Sequence, residues 1–324
     1  MQKSISTIFW KTLIASALVM QLCMLIRIQS WFFTGIGFYN EKYVGFHLSR
    51  GRLGNQLFHL VTGYGIARTL GRKHYFPNEG HKSHVLNYLQ QITNVFPRLK
   101  DTYVFAPVSV NQTVVRFANS CCVYENPLRL WNNNARYLLL DFYFGQNPRY
   151  FVNYMSEIRK LLQFSNNYRR EGNYMVDLLR MNYSNLMCIH IRRTDFVGIN
   201  VATDMKSTVD AANNIARQRG LSKFLIFGDD KNFMHKMSLS IIKKGNWSED
   251  AVIVSKFNEY MDLYVSSQLC RSFLISAATS TFGWWLAFFA YGQDAVYYMP
   301  DERIQVDKVP DGELFLKTWQ LYKG

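Results

Sequence analysis

Leu186-Met-Cys-Ile-His-Ile191, followed at once by Arg192-Arg193-Thr194-Asp195, decides the fold of this chain. Six residues, nearly all apolar and without alternation, are the pattern of a strand buried on both faces. Such strands belong to parallel sheets covered by helices. The stretches that follow repeat the theme. Thr208 to Arg219 predicts a helix that stops at Gly220, and Lys223 to Phe227 a second buried strand ending in Gly228-Asp229-Asp230. Ala251 to Val254, Ser272 to Ser276 and Ala295 to Met299 predict three more strands, with helices over Asn258 to Leu269 and Phe282 to Tyr291. Strands alternating with helices imply a parallel sheet with both faces covered.

Working back toward the N-terminus, Tyr43 to Leu48 reads as a strand, Ser49 to Gln56 as a glycine-containing loop, Leu57 to Leu70 as a helix and His74 to Pro77 as a short strand. Residues 80–180 hold helical stretches, Tyr150 to Phe164 among them, but their order fixes no topology. The expectation is an α/β fold of two Rossmann-like halves with a cleft between them, over residues 43–180 and 181–324.

The opening residues bear on the compartment. Thr12 to Ile26 is apolar, lies between Lys11 and Arg27, and continues in apolar character through Trp31, Phe32 and Phe33. Fifteen residues are short for a span of about 20, although flanking cations can snorkel. Positive residues before the run favour a cytoplasmic N-terminus. We expect a cytoplasmic tail over 1–11, a signal-anchor transmembrane helix over 12–33 and a short stem over 34–42. A cleaved signal peptide and a buried core helix are the alternatives, but no small-x-small cleavage site follows the run. Sequons at Asn111, Asn182 and Asn246 agree with a lumenal location for the rest of the chain.

The chain has 324 residues, 48% of them hydrophobic, which excludes a disordered protein. Lys and Arg number 37 against 23 Asp and Glu, a formal charge of +14 that suits an acidic partner. No run of five like charges supports a nucleic-acid tail, and we expect no nucleic-acid partner. None of the five cysteines forms C-x-x-C. In an oxidising lumen, Cys121, Cys122, Cys188 and Cys270 allow three connectivities. The adjacent Cys121 and Cys122 are expected to pair elsewhere, if they pair, and Cys188 reads equally well as a buried thiol.

Ligands of open α/β sheets bind beyond the carboxyl ends of the strands. There the chain offers Gly51-Arg-Leu-Gly-Asn-Gln56, His190-Ile-Arg192-Arg193-Thr-Asp195, Gly228-Asp229-Asp230 and Thr279-Ser280-Thr281-Phe282-Gly283. A guanidinium fork matches phosphate oxygens, and two of them suit a diphosphate leaving group. His190 and Arg192 share a strand face, whereas Arg193 faces the other way unless the chain turns. Free N–H groups at a helix start near Ser280 bind anions, and Asp229 or Asp230 can accept from a ribose hydroxyl or a guanine edge. Asp-x-Asp, H-E-x-x-H, G-x-S-x-G and the Gly-Lys dipeptide are all absent from the sequence. A metal-dependent nucleotide-sugar site, a zincin, a serine hydrolase and a P-loop therefore lack their residues.

Gly51 to Gln56, His190 to Asp195, Phe224 to Asp230, and Met261-Asp-Leu-Tyr with Thr279-Ser-Thr-Phe-Gly-Trp-Trp285 occur in an order and spacing that resemble the α-1,2-fucosyltransferases of glycosyltransferase family 11. The H-x-R-R-x-D element is shared with α-1,6- and protein O-fucosyltransferases. The resemblance covers roughly residues 43–300. It implies a GT-B-type fold, GDP-β-L-fucose as donor, a galactose-terminated glycan as acceptor, inversion to an α-fucoside and no required metal or other cofactor. It further implies a Golgi type II membrane protein with its catalytic region in the lumen. Carried over by position, Arg192 and Arg193 would be catalytic at the diphosphate, with Asp195 orienting them. His190, Asp229, Asp230, Ser280, Thr281 and Phe282 would bind the donor, and Asn55 and Gln56 would lie at the acceptor cleft. His59 is a candidate base. Another linkage or acceptor, and an inactive sugar-nucleotide-binding protein, stay open as alternatives, as does a homodimer.

Overall fold

The computed structural model describes residues 20–22, 24, 41–178, 186–301 and 313–324. Of the expected tail, anchor and stem, only residues 20–22, 24, 41 and 42 are therefore described, and the boundary expected at residue 180 and the sequon Asn182 also lie outside. Among the described residues no helix is long and apolar enough to cross a membrane.

Tyr43–Gly324 forms one compact unit with two sheets. In the first, β1 (Tyr43–Phe46) leads to α1 (Leu53–Thr69), β2 (Lys73–Phe76), α2 (Lys82–Val95), β3 (Tyr103–Phe105), β4 (Thr113–Arg116) and β5 (Tyr137–Asp141). Two helices, α3 (Met155–Leu161) and α4 (Asn166–Leu178), precede the second sheet. That sheet runs through β6 (Leu186–Ile191), α5 (Thr194–Gly198), α6 (Met205–Gln218), β7 (Phe224–Gly228), α7 (Lys231–Gly245), β8 (Val252–Val254), α8 (Glu259–Leu269), β9 (Cys270–Ile275), α9 (Thr281–Phe289), β10 (Val296–Tyr298) and β11 (Gln320–Leu321).

All pairings are parallel. The first sheet has the order β3-β2-β1-β5-β4 and the second β8-β7-β6-β9-β10-β11. The second is the full Rossmann order, so the connections reverse direction between β6 and β9. In the first sheet they reverse between β1 and β5. Such reversals open a crevice at the carboxyl ends of the strands.

Every residue of β6 is buried, as the unbroken apolar run predicts. Leu186 and Cys188 pack into one core with α8 and α9, while Met187, Ile189 and Ile191 pack into a second with α6 and α7. The alternation puts His190 on the α9 side.

Several expectations need correction. The helix read as beginning at Leu57 begins at Leu53, so half of the supposed glycine loop is its first turn. Tyr150 to Phe164 is not one helix: short 3-10 turns at Pro148–Tyr150 and Val152–Tyr154 precede α3. Cys121 and Cys122 are bonded to each other rather than elsewhere, and Cys188 is bonded to Cys270 on neighbouring β9 instead of being a free thiol.

The early start of α1 has a tertiary cause. Its first turn abuts the first turn of α9, and Trp285 Nε1 donates to Gly54 O at 2.9 Å. A Cβ on Gly54 would lie 2.7 Å from both Phe282 N and Thr281 Oγ1. Only glycine allows the two helix starts this close. Gly54→Ala should therefore cost about 1–3 kcal/mol of stability, as overpacking does. An unchanged urea midpoint would contradict this packing.

Candidate active site

The chain leaves β6 at His190-Ile191 and enters the crevice with Arg192. The Arg192 backbone N–H donates to Thr203 Oγ1 at 3.0 Å, and Thr203 Oγ1 lies 2.6 Å from Ser276 Oγ just beyond β9. Ser276 Oγ in turn donates to His190 O at 2.5 Å. The two strand ends that bound the crevice are thus tied by hydroxyls. Thr203 belongs to none of the motifs read from the sequence.

Arg192 is nearly buried and sits between two carboxylates. Its Nη1 donates to Asp229 Oδ2 at 2.7 Å, and its Nη2 lies 2.5 Å from Asp195 Oδ1. Asp229 also accepts the Arg193 backbone N–H at 2.9 Å and Thr194 Oγ1 at 2.6 Å. Asp229 therefore orients the β6 loop and the guanidinium together. A guanidinium has five N–H donors, so these two bonds leave donors for an anionic ligand.

Arg193 does not join it, which corrects the paired-arginine expectation. Its Nη1 donates to Thr203 O at 3.0 Å, its guanidinium lies 4.0 Å from the Phe233 ring centre on α7, and its Nε is 3.5 Å from Asp230. β6 ends at Ile191, and Arg193 immediately precedes α5, with its side chain directed to α7 rather than to the cleft. Asp230 is likewise not at the cleft. It caps α7, accepting from Phe233 N at 3.0 Å.

The cleft beside Arg192 holds a cavity of about 540 Å³ whose walls include His190, Asp195, Asp229, Ser280, Thr281 and Phe282, six of the expected donor residues. His190 is fully buried, and its Nδ1 has no hydrogen-bond partner among the described residues. Burial pushes its pKa down to about 4, so the imidazole is neutral and offers one donor and one acceptor. A Cβ on Gly283 would lie 2.5 Å from that Nδ1, so α9 closes directly over the ring. Ser280 caps α9, accepting from Gly283 N at 3.4 Å. Arg50, Arg52, Lys231, Glu259 and Asp262 also line this cavity and were not assigned from sequence, although Arg52 and Asp262 lie inside quoted motifs. Ser255 Oγ donates to Asp262, whose buried carboxyl is pushed up to about 7 by desolvation.

A second cavity of about 570 Å³ adjoins the first, sharing Asn55, Phe196 and Thr279 with it. Asn55 is at the junction, its Oδ1 accepting from Thr281 Oγ1 and from Gln146 Nε2, each at 2.9 Å. Gln56 is not at the cleft. It is buried, and its Nε2 donates to Ser49 O and Gly51 O, at 3.1 and 2.8 Å. A helix that begins at Leu53 turns the two side chains in different directions. His59 is stacked in the core between Phe46 and Phe76, where burial holds its pKa well below the ordinary value; it is no base for the cleft.

The model of the family described as Glycosyl transferase family 11 matches residues 44–322. The chain belongs to glycosyl transferase family 11. Among relatives in Caenorhabditis elegans, the protein named "Putative glycosyltransferase C06E1.7" is 32% identical over 84% of this chain and 77% of its own. A galactoside 2-alpha-L-fucosyltransferase of the same organism is 29% identical over 83% of this chain and 76% of its own. The crystal structure of POFUT1 in complex with GDP-fucose is similar at a TM-score of 0.46 and 13% identity, over 80% of this chain and 98% of that one.

Burial of three histidines, His190 at the site and His59 and His74 in the core, makes the fold sensitive to acid. His59, His74 and His190 are kept neutral in the fold, with the His74 pKa pushed to about 3. In the unfolded chain they take up protons below the ordinary value of 6.5. Their stabilisation is present above about 6.5 and lost as the pH falls toward 4. Asp262 acts in the opposite sense, its contribution being lost as the pH rises through about 7. Burial raises Glu259 in the same sense as Asp262; three histidines outweigh these two carboxyls, so the urea midpoint should fall between pH 6.5 and 4.5. A midpoint that rises over this interval would contradict the assignment of neutral buried histidines.

Proposed function

We propose that the chain transfers L-fucose from GDP-β-L-fucose to a galactose hydroxyl of a glycan, forming an α-1,2 linkage with inversion and without a metal. Membership of family 11 and relatives named galactoside 2-alpha-L-fucosyltransferase support the reaction. The observation that carries it is Arg192, held by Asp195 and Asp229 at the β6–β9 crevice in a cavity with His190 and the start of α9.

The chemistry follows from those groups. As the fucose C1–O bond breaks, negative charge grows on the β-phosphate of GDP. A preorganised guanidinium in the cleft stabilises that growing charge more than it stabilises the ground state. The α9 start adds N–H groups of like polarity. Cationic side chains then serve the role that a bound metal serves in Asp-x-Asp enzymes, and the GT-B-type reading places nucleotide on the second sheet and acceptor on the first. Neutral His190 and the carboxyl groups of Glu259 and Asp262 suit the nucleoside.

We further read the chain as a Golgi type II protein anchored through residues 12–33 and glycosylated at Asn111, Asn182 and Asn246. The apolar N-terminal run supports this reading. Asn111 and Asn246 are exposed.

Incubation of the purified protein with labelled GDP-fucose and a panel of galactosides tests the reaction. Transfer to O-2 of galactose should persist in EDTA. Arg192→Ala should lose at least about 3 kcal/mol of transition-state stabilisation, on the scale of an oxyanion donor, with Arg193→Ala losing far less. Equal losses in the two variants would contradict the site.

A further inference from the structure

We propose that Asp141 is the general base of the transfer, taking the proton of the acceptor hydroxyl. The proposal rests on the fucosyltransferase reading and assigns the group that reading leaves out. Asp141 ends β5, and His47 follows β1. These two strands flank the point where the first sheet reverses, the counterpart of the β6–β9 crevice that holds Arg192.

The 570 Å³ cavity opens at that point. Among the described residues, Asp141 is the one carboxylate in its wall. Phe142, Tyr143 and Phe144 give the wall an apolar side, and Asn119 and Ser120 a polar one. A pyranose presents the same two characters, C–H faces and a hydroxyl rim. Because the cavity joins the nucleotide cavity at Asn55, Phe196 and Thr279, a sugar held there would meet the fucose at the junction.

Asp141 is also positioned. Its Oδ1 lies 3.3 Å from His47 Nε2. His47 Nδ1 is 3.0 Å from Glu79 Oε2, and its ring stacks on Tyr143 with centroids 4.8 Å apart. Glu79 is itself fixed by the Leu48 backbone N–H. Of the other carboxylates of the cleft, Asp195 and Asp229 are engaged with Arg192 and Asp262 with Ser255, and Glu259 lines the nucleotide cavity but not the one that holds Asp141.

In the step, the acceptor O–H proton passes to an Asp141 oxygen while the acceptor oxygen bonds to fucose C1. The C1–O bond to the β-phosphate breaks, and its electron pair leaves on GDP beside Arg192. The products are fucoside, GDP and protonated Asp141.

Steady-state kinetics and GDP-fucose calorimetry on the wild-type, Asp141→Asn and Asp141→Glu proteins test this. Asp141→Asn should lower kcat by at least ~100-fold, with GDP-fucose affinity and melting temperature close to wild type. Asp141→Glu, which keeps a carboxylate, should retain a clearly higher kcat than the Asn variant. Equal kcat in the two variants, an Asn variant near wild-type kcat, or a change confined to acceptor KM would overturn the proposal. Failure of the wild-type protein to transfer fucose at all would instead overturn the reaction on which it rests.

Discussion

A guanidinium held between two carboxylates is the constraint on which the site depends. Arg192 is close to fully buried, and a charge so placed must be paired. Asp229 and Asp195 pair it, and Asp229 also holds the Arg193 N–H and the Thr194 hydroxyl. The ion pair is weak evidence for stability. Its value is geometric: the guanidinium is fixed before a substrate arrives, so little reorganisation is needed when charge develops.

Two glycines bring the surrounding elements close enough to make that cleft. Gly54 lets the start of α1 meet the start of α9, and Gly283 lets α9 close over His190. The Trp285 indole, donating to Gly54 O, fastens the same junction. Asn55, one residue on, reaches both Thr281 and Gln146 and so stands where the two cavities join. The helix starts, the hydroxyl ties at Ser276 and Thr203, and the shared cavity walls form one continuous arrangement around the crevice.

The parts visible in the sequence were those with a short-range cause. β6 could be read to the residue because a strand covered on both faces leaves an unbroken apolar run. Alternation implies that Arg193 faces away from Arg192, and it does, its guanidinium lying against Phe233. What long-range packing decides was not visible. The start of α1 at Leu53 comes from its meeting with α9, and this moves Gln56 from the cleft into the core. Nothing in one chain's order shows that Thr203 ties β6 to β9, or that Asp141 and Glu79 meet at His47, 62 residues of sequence apart as the strands are wound. The neighbouring Cys121 and Cys122 bond to each other, a pairing that adjacency argued against.

The most direct measurement is a crystal structure of the protein with GDP bound. The account predicts the diphosphate within hydrogen-bonding distance of the Arg192 guanidinium and of the first N–H groups of α9, with Arg193 still against Phe233. A diphosphate gripped by Arg193, or bound away from both the β6–β9 crevice and Arg192, would contradict it.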